Sequence, residues 1–184
     1  MLHLPDKDIS SNFVVNKEFS EMVTIRKGEA SDAGAIADIF NYYIRTSDVI
    51  FSNRERSSAE MREKLESVIA GGYPFFVSVE DGAVTGYCYA HAWQPDAVYG
   101  RTWELTEYLG PSSAGKGIGT ELLRTTVEAC RDSGAHTLIA CVTAGNKACA
   151  GMLSRVGFKL VGIVRESGFK FGKYCDDEFW QLML

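Results

Sequence analysis

The sequence is poor in proline, in histidine and in positive charge. Its 184 residues include 4 prolines and 3 histidines, and the 19 Lys and Arg are outnumbered by 24 Asp and Glu. The formal net charge of −5 argues against the broad basic surface that binds a nucleic-acid backbone, so we expect no nucleic-acid partner. Because no apolar run approaches the roughly 18 residues of a membrane span, we expect no membrane partner either.

The cysteines and histidines also lack the spacings of common structural and metal sites. The 5 cysteines are scattered, odd in number and never spaced as C-x-x-C, which suggests neither a disulfide framework nor a zinc knuckle. A reducing cytoplasm is therefore the expected compartment. The histidines lie far apart, none of them in a motif such as H-E-x-x-H, and we expect no metal.

The length fits a single domain with one core. Residues 1–21 show no clear period, and their charged residues, such as Asp6, Lys7 and Asp8, exclude a secretory signal there. We interpret residues 1–21 as an N-terminal arm and residues 22–184 as one domain.

Periodicity and capping residues predict an order of helices and strands. After a β-prone segment at Met22–Gly28, a helix begins at Ser31 or Asp32. Ser57 and Glu60 then form a capping box for a second helix, which ends near Ala70. The remaining elements are strands at Phe75–Glu80, Ala83–Trp93 and Thr102–Leu109, a helix to about Arg131, a strand at Thr137–Val142, a helix from Asn146 to Gly157, and strands at Phe158–Val164 and Glu178–Leu184.

A glycine-rich stretch from Gly110 to Thr120 lies between a predicted strand and a predicted helix. Backbone amides and the helix start in such a loop can bind phosphate, although the glycines could equally serve only a tight turn. Gly110 to Lys116 fits the triphosphate-binding pattern G-x-x-x-x-G-K, but Gly117 stands where Ser or Thr must bind magnesium. An ATPase or kinase is therefore disfavoured.

The same loop resembles the acetyl-CoA loop of the GNAT superfamily of N-acetyltransferases. Gly117 and Gly119 match both glycines of that pattern, whereas Ala114 stands where the family has Arg or Gln. The resemblance covers the chain from about Met22 onward. It implies an α/β (α+β) fold with a mixed, mostly antiparallel twisted sheet of six to seven strands, flanked by about four helices.

Further stretches resemble the phosphinothricin or methionine sulfoximine acetyltransferase branch of this family. They are Tyr42–Ile44 leading to Phe51, Trp103–Leu109, Gly168–Asp176, and Asn146 followed by Gly157-Phe158. The resemblance implies direct transfer of an acetyl group from acetyl-CoA to a small primary amine or amino-acid analogue. It also implies a homodimer.

Glu104 stands where this branch has its proposed general base, and the alternative is a solvated strand carboxylate. Glu107 should lie on the opposite face of the strand, because side chains alternate along it. Asn146 resembles the family residue on the pantetheine side and is equally plausible as a helix cap. The resemblance implies these cofactor-binding residues: Glu107, Tyr108, Leu109, Ala114, Gly115, Lys116, Gly117, Ile118, Gly119, Thr120 and Asn146.

The acceptor side departs from the family. Asp96 stands where the branch has a basic residue for the substrate carboxylate, so Arg101 could substitute or the acceptor could be cationic. Leu153 stands where the family has Tyr or His, so no general acid is identified. Residues expected to bind the acceptor are Tyr42, Phe51, Trp93 and Asp96. The alternatives are a non-catalytic CoA-binding or sensory module, and an acetyltransferase for protein N-termini or lysines.

Overall fold

Seven strands and four helices form the described part of the chain, residues 23–50 and 52–184 of a computed structural model. The predicted N-terminal arm and Phe51 lie outside these residues. The elements are β1 (Val23–Lys27), α1 (Ala33–Thr46), α2 (Ser58–Ala70), β2 (Phe75–Glu80), β3 (Ala83–Ala92), β4 (Thr102–Leu109), α3 (Ile118–Asp132), β5 (Thr137–Thr143), α4 (Lys147–Val156), β6 (Lys159–Lys170) and β7 (Lys173–Met183). None of these helices is long and apolar enough to cross a membrane.

The strands form one sheet in the order β1-β2-β3-β4-β5-β7-β6. Every neighbouring pair is antiparallel except β4 and β5, which α3 connects in parallel. The predicted mixed, mostly antiparallel sheet with four helices is thus confirmed.

The helices pack on opposite faces of the sheet, as the alternation of apolar residues along the strands requires. On one face, α1 and α2 pack against Phe75, Val77 and Tyr87. On the other, α3 and α4 pack against a larger cluster that includes Cys88 and Leu105. Strand β4 therefore presents alternate side chains to two different helix layers.

Most predicted helix ends are found in the structure. Ser57 Oγ accepts the amide of Glu60 at 3.2 Å, and Glu60 Oε2 accepts the amide of Ser57 at 2.8 Å, so the capping box is present. Asp32 precedes α1 without capping it through its side chain. Its carboxylate instead accepts the amide of Glu29 at 2.8 Å, which caps a short 3-10 turn before the helix, and two hydrogen bonds from Arg26, at 2.7 and 2.8 Å.

The last two strands are longer than the periodicity predicts. Strand β6 runs to Lys170 and β7 starts at Lys173, joined by a turn at Phe171 and Gly172, which both have positive φ. Polar residues and glycines hide this hairpin from a search for alternating apolar residues, and its register shifts between Val164 and Gly168.

Candidate active site

A wedge opens between β4 and β5 where their pairing ends. The parallel pairs run from Thr102 with Thr137 to Leu105 with Ala140, although β4 continues to Leu109. On its other side β4 stays paired with β3 as far as Leu109. The last residues of β4 therefore present an open backbone edge to the wedge, and such an edge can hydrogen-bond an extended ligand that carries amides.

The glycine-rich loop lies at one end of this wedge. Gly115 and Gly117 have φ values of +80° and +85°, a conformation that L side chains rarely adopt. A Cβ added at either position would meet no atom within 4 Å, so the backbone there is open to a ligand. Gly117 precedes α3 without any side-chain cap. The first-turn amides of α3 are thus left for an anion.

Lys116, in the glycine-rich loop, forms an ion pair with a glutamate of β2. Lys116 Nζ lies 2.8 Å from Glu80 Oε1 at the end of β2, and 44% of the Lys116 side chain is exposed. This ion pair holds the ammonium beside the loop and shares its charge with a carboxylate. Ala114, also in this loop, brings no polar side chain.

Gly119 has a different role, because here the first turn of α3 approaches β4 closely. A Cβ on Gly119 would lie 2.8 Å from Leu109 Cδ1, 3.0 Å from Met152 Sδ and 3.4 Å from Glu107 Oε1. A side chain at this position would push α3 away from the strand. The glycine thus keeps α3, α4 and the end of β4 in contact.

Asn146 caps α4 at the other side of the wedge. Its Oδ1 accepts the amide of Cys149 at 3.2 Å, so the helix-cap interpretation is confirmed. Asn146 also lines a cavity of about 350 Å³ at the carboxyl end of β5, together with Asp48, Thr143 and Lys173. The N-terminal turns of α3 and α4 therefore lie on either side of the wedge.

Glu104 and Glu107 lie on opposite faces of β4, as predicted. Glu104 is half-buried and pairs in register with His91 of β3 and Ile139 of β5. Glu107 pairs with Cys88 and points to the α3 and α4 layer, where neither carboxyl oxygen has a hydrogen-bond partner or exposed surface. Burial raises the pKa of Glu107 well above its ordinary value. The same residue type is thus placed in two different electrostatic environments.

A lysine from α2 faces the Glu104 side of the sheet. Lys64 Nζ lies 5.2 Å from the ring centroid of Tyr89, which is two residues before His91 on β3. Desolvation lowers the pKa of Lys64, and the negative charge of Glu104 opposes this shift. Among the described residues, Lys64 and Glu104 form no ion pair with each other.

Of Tyr108 and Leu109, only Leu109 turns its backbone N–H and C=O toward the wedge, because Gly110 N donates to Thr85 O of β3 at 2.7 Å and Tyr108, two residues earlier, pairs with Tyr87 in the same way. The Tyr108 ring packs among aromatic rings below α1, including Phe40 at 6.2 Å and Tyr87 at 5.6 Å. The Leu109 carbonyl accepts the Tyr43 hydroxyl at 2.7 Å. Helix α1 is thus fixed to the strand end that immediately precedes the loop.

The residues predicted for the acceptor side are not gathered in one place. Trp93 lines a mostly apolar cavity of about 350 Å³ with Ile139, the strand partner of Glu104. Asp96 is exposed, and its carboxylate accepts the amide of Val98 at 3.0 Å, within its own loop. Tyr42 lies on α1 against Tyr43, with ring centroids 5.2 Å apart.

Arg101, considered for the acceptor side, lies away from the wedge, and Leu153, at the family's general-acid position, is shielded from solvent. Arg101 donates to the carbonyl of Gly134 at 3.0 Å, at the start of β4 rather than at the wedge. Leu153 is buried in the core with 2% exposure. Within residues 23–50 and 52–184, no three His, Cys, Asp or Glu side chains are grouped so that they could hold a metal ion.

Known proteins are similar to this chain in sequence and in fold. The family model described as "Acetyltransferase (GNAT) domain" matches residues 25–180. The chain belongs to the GNAT family. It is 33% identical over 159 residues to phosphinothricin N-acetyltransferase of Alcaligenes faecalis, which covers 86% of this chain and 81% of that protein. It is 31% identical over 162 residues to L-amino acid N-acyltransferase MnaT of Escherichia coli K12, covering 88% and 94%.

A solved structure of this GNAT branch has the same fold. The phosphinothricin acetyltransferase from Sinorhizobium meliloti, in complex with AcCoA, matches with a TM-score of 0.85 and 31% identity over 88% of each chain. With the curated relatives, this likeness shows that the chain is a GNAT N-acetyltransferase similar to the phosphinothricin and methionine sulfoximine enzymes.

Sequence reasoning does not identify Lys64, Tyr89 or His91 as neighbours of Glu104. The hairpin turn sets the β2–β3 pairing, but nothing in the sequence fixes the β3–β4 register that places His91 opposite Glu104. Lys64 looks like an ordinary solvated residue of an amphipathic helix. The alternation of β3 is the one signal that could have placed Tyr89 and His91 on the same face.

Proposed function

We propose that this GNAT enzyme transfers an acetyl group from acetyl-CoA to the primary amine of a small amino acid or amino-acid analogue. Transfer is direct, within a ternary complex, and Glu104 is the general base. The observation that carries the proposal is the wedge between β4 and β5, which has the glycine loop at one end and Glu104 beside it.

The residues present fit acetyl-CoA in a specific way. The open backbone at Gly115 and Gly117 and the uncapped start of α3 suit a pyrophosphate, with Lys116 beside them. The amide-bearing arm then suits the open edge of β4 at Glu107 and Leu109, between the starts of α3 and α4. We assign cofactor binding to the backbone from Ala114 to Thr120, with Asn146 at the start of α4.

Glu104 supplies the proton acceptor that the reaction needs. An ammonium proton moves to its carboxylate, directly or through water, and the freed amine lone pair attacks the thioester carbonyl. A C–N bond forms, the C–S bond breaks, and the thiolate leaves with that electron pair. The nitrogen then loses a second proton through water to the thiolate, which leaves a neutral amide and the coenzyme A thiol. Backbone N–H donors at the open edge of β4 stabilise the developing oxyanion. A metal has no part in this proposal.

The thiols near the wedge favour direct transfer over a cysteine-bound intermediate. Burial raises the pKa of Cys149 to about 12, and the pKa of Cys141 is likewise raised to about 12, chiefly by desolvation. Both thiols are therefore protonated at neutral pH and are poor nucleophiles.

Lys64 favours an acceptor that carries a carboxylate as well as an amine. Lys64 is exposed on the same side of the sheet as Glu104, and a cation and an anion that form no ion pair with each other are complementary to a zwitterion. The acceptor amine would face Glu104 and its carboxylate would face Lys64. Trp93 and the apolar cavity next to Ile139 would then take the acceptor side chain.

The test is an acceptor screen with acetyl-CoA, in which the acetylated product is detected by mass. Methionine sulfoximine, methionine sulfone and phosphinothricin are compared with their decarboxylated amines and with spermidine. We expect the amino acids to be preferred. A preference for spermidine would instead support the cationic acceptor that the sequence leaves open, and no acetylation of any amine would support a non-catalytic module.

We also propose a homodimer in which a second copy packs against the edge strand β6, whose residues 161–164 also line the cavity next to Ile139. This edge strand carries Leu160, Val161, Ile163 and Val164, each between 45% and 56% exposed. An apolar strand at a sheet edge is prone to pairing unless it is covered. Ile163→Glu should halve the mass measured by light scattering, whereas Lys159→Glu on the same strand should not. A monomeric wild-type protein would contradict this arrangement.

Two further proposals concern the whole chain. We propose a cytoplasmic location, which the five free cysteines support. We also propose that residues 1–21 form an arm outside the catalytic domain, residues 22–184; acetylation activity that survives their removal would support this division.

A further inference from the structure

Glu107 is a buried acid that the proposed reaction does not use. Both of its carboxyl oxygens lack a hydrogen-bond partner and exposed surface. A buried polar group without a hydrogen-bond partner lowers the free energy of unfolding, so its presence needs an explanation, such as a ligand that it binds.

The carboxyl lies between the N-terminal parts of two helices. Its Oε1 is 3.4 Å from the point where a Cβ of Gly119 would be, in the first turn of α3. Its charge, if present, would act on Cys149 in the first turn of α4. These are the two helix starts on either side of the wedge, and Glu107 belongs to the part of β4 that β5 leaves unpaired.

Two apolar side chains border this position. Leu109 Cδ1 and Met152 Sδ lie 2.8 and 3.0 Å from the same Gly119 point, and both residues are partly exposed. Methionine has three rotatable side-chain bonds and adapts easily to a new neighbour. Met152 is therefore the side chain that we expect to move when a ligand reaches the Glu107 carboxyl.

The protonation state of the acid decides what it can bind. A neutral carboxyl has one donor and one acceptor, which match the carbonyl and N–H of a secondary amide. A carboxylate could only accept, and it would repel a polyanion. The facing titratable groups, Cys88 of β3 and Cys149 of α4, have pKa values raised by burial and bring no charge at neutral pH.

We propose that the neutral carboxyl of Glu107 binds an amide of the pantetheine arm of acetyl-CoA, as a side-chain contact additional to the backbone edge of β4. This inference rests on the proposed function, in that it takes acetyl-CoA as the ligand. It gives Glu107 a cofactor-binding role that partly offsets the missing polar side chain at Ala114.

The test separates the pantetheine arm from the nucleotide. Calorimetry measures acetyl-CoA and 3′-phospho-ADP, the cofactor without its arm, against wild type, Glu107→Leu and Glu107→Gln at pH 7. We expect Glu107→Leu to bind acetyl-CoA roughly tenfold more weakly and the nucleotide unchanged. Glu107→Gln should stay close to wild type, because its amide also has a donor and an acceptor.

Other outcomes separate this inference from the proposed function. An equal loss for both ligands, or no loss in Glu107→Leu, would overturn the pantetheine contact while acetyl-CoA binding by the wild type still stands. Absence of acetyl-CoA binding by the wild type would instead overturn the proposed function. Thermal unfolding of each variant checks that it is folded, and Glu107→Met, which keeps the length of the side chain without a hydrogen-bonding group, replaces Glu107→Leu in the comparison if Glu107→Leu does not fold.

Discussion

The two faces of β4 treat the same residue type in opposite ways. Glu104 faces the α1 and α2 side, half-buried beside His91 and within reach of the charge of Lys64. Glu107, three residues on, faces α3 and α4 with both oxygens buried and unpartnered. The position on the strand, rather than the residue type, therefore decides whether a glutamate can serve as a proton acceptor or as a neutral hydrogen-bonding group.

The largest expected effect is on kcat, when Glu104 is replaced by Gln and the result is compared with the same replacement of Glu107. Glu104→Gln should lower kcat by roughly a hundredfold or more and leave acetyl-CoA affinity unchanged, because it removes the base and keeps the shape. Glu107→Gln changes a residue that we assign to cofactor binding, so it is compared through acetyl-CoA affinity. Steady-state kinetics and calorimetry measure both variants, and a kcat of Glu104→Gln equal to that of wild type would remove Glu104 from the mechanism.

Because of Glu107, the free energy of unfolding of the protein should depend on pH in a defined direction. The pKa of Glu107 is raised in the folded state, so above the unfolded value, about 4.3, the folded state holds a proton that the unfolded state has lost. The free energy of unfolding therefore falls as pH rises, by up to about 1.4 kcal/mol per pH unit from this group, until pH reaches the folded pKa.

Glu107→Leu removes this pH dependence. In urea unfolding, its stability relative to wild type should rise from pH 5 toward pH 7 for as long as the pH stays below the folded pKa of Glu107. A difference between the two proteins that is constant over that range would show that Glu107 is ionised in the folded state.

The smallest expected effect concerns Lys64, on the Glu104 face. Lys64→Met keeps the contact with Tyr89 but removes the cation, and KM for an amino-acid acceptor should rise roughly tenfold through loss of one charge-assisted contact. KM for the corresponding decarboxylated amine should not change. A similar rise for both acceptors would show that Lys64 acts on packing rather than on a carboxylate.

Much of the fold can be predicted from local signals. Ser57 with Glu60, Asn146 and Gly157 mark helix ends through contacts within a few residues, and all three ends are found as expected. Asp32 does not act as the predicted cap because its carboxylate binds the Glu29 amide and Arg26, on another element. The β6–β7 hairpin is longer than predicted because its register shifts and exposed residues leave no regular alternation.

The candidate site is less predictable because it depends on contacts between elements that are distant in sequence. Alternation along β4 is enough to separate Glu104 from Glu107, because both lie on one strand. The burial of Glu107 depends on Gly119 and Met152, which reach it from two helices. Lys64 depends on how α2 lies across the sheet, and no sequence spacing encodes that angle.

The hydrogen bond from Tyr43 to the Leu109 carbonyl joins helix α1 to the end of β4. Leu109 ends the strand that we assign to the cofactor. We therefore expect a displacement of that strand end on cofactor binding to be transmitted to α1. By thermodynamic linkage, a ligand whose binding depends on the position of α1 would then change cofactor affinity by the same factor by which the cofactor changes the affinity for that ligand.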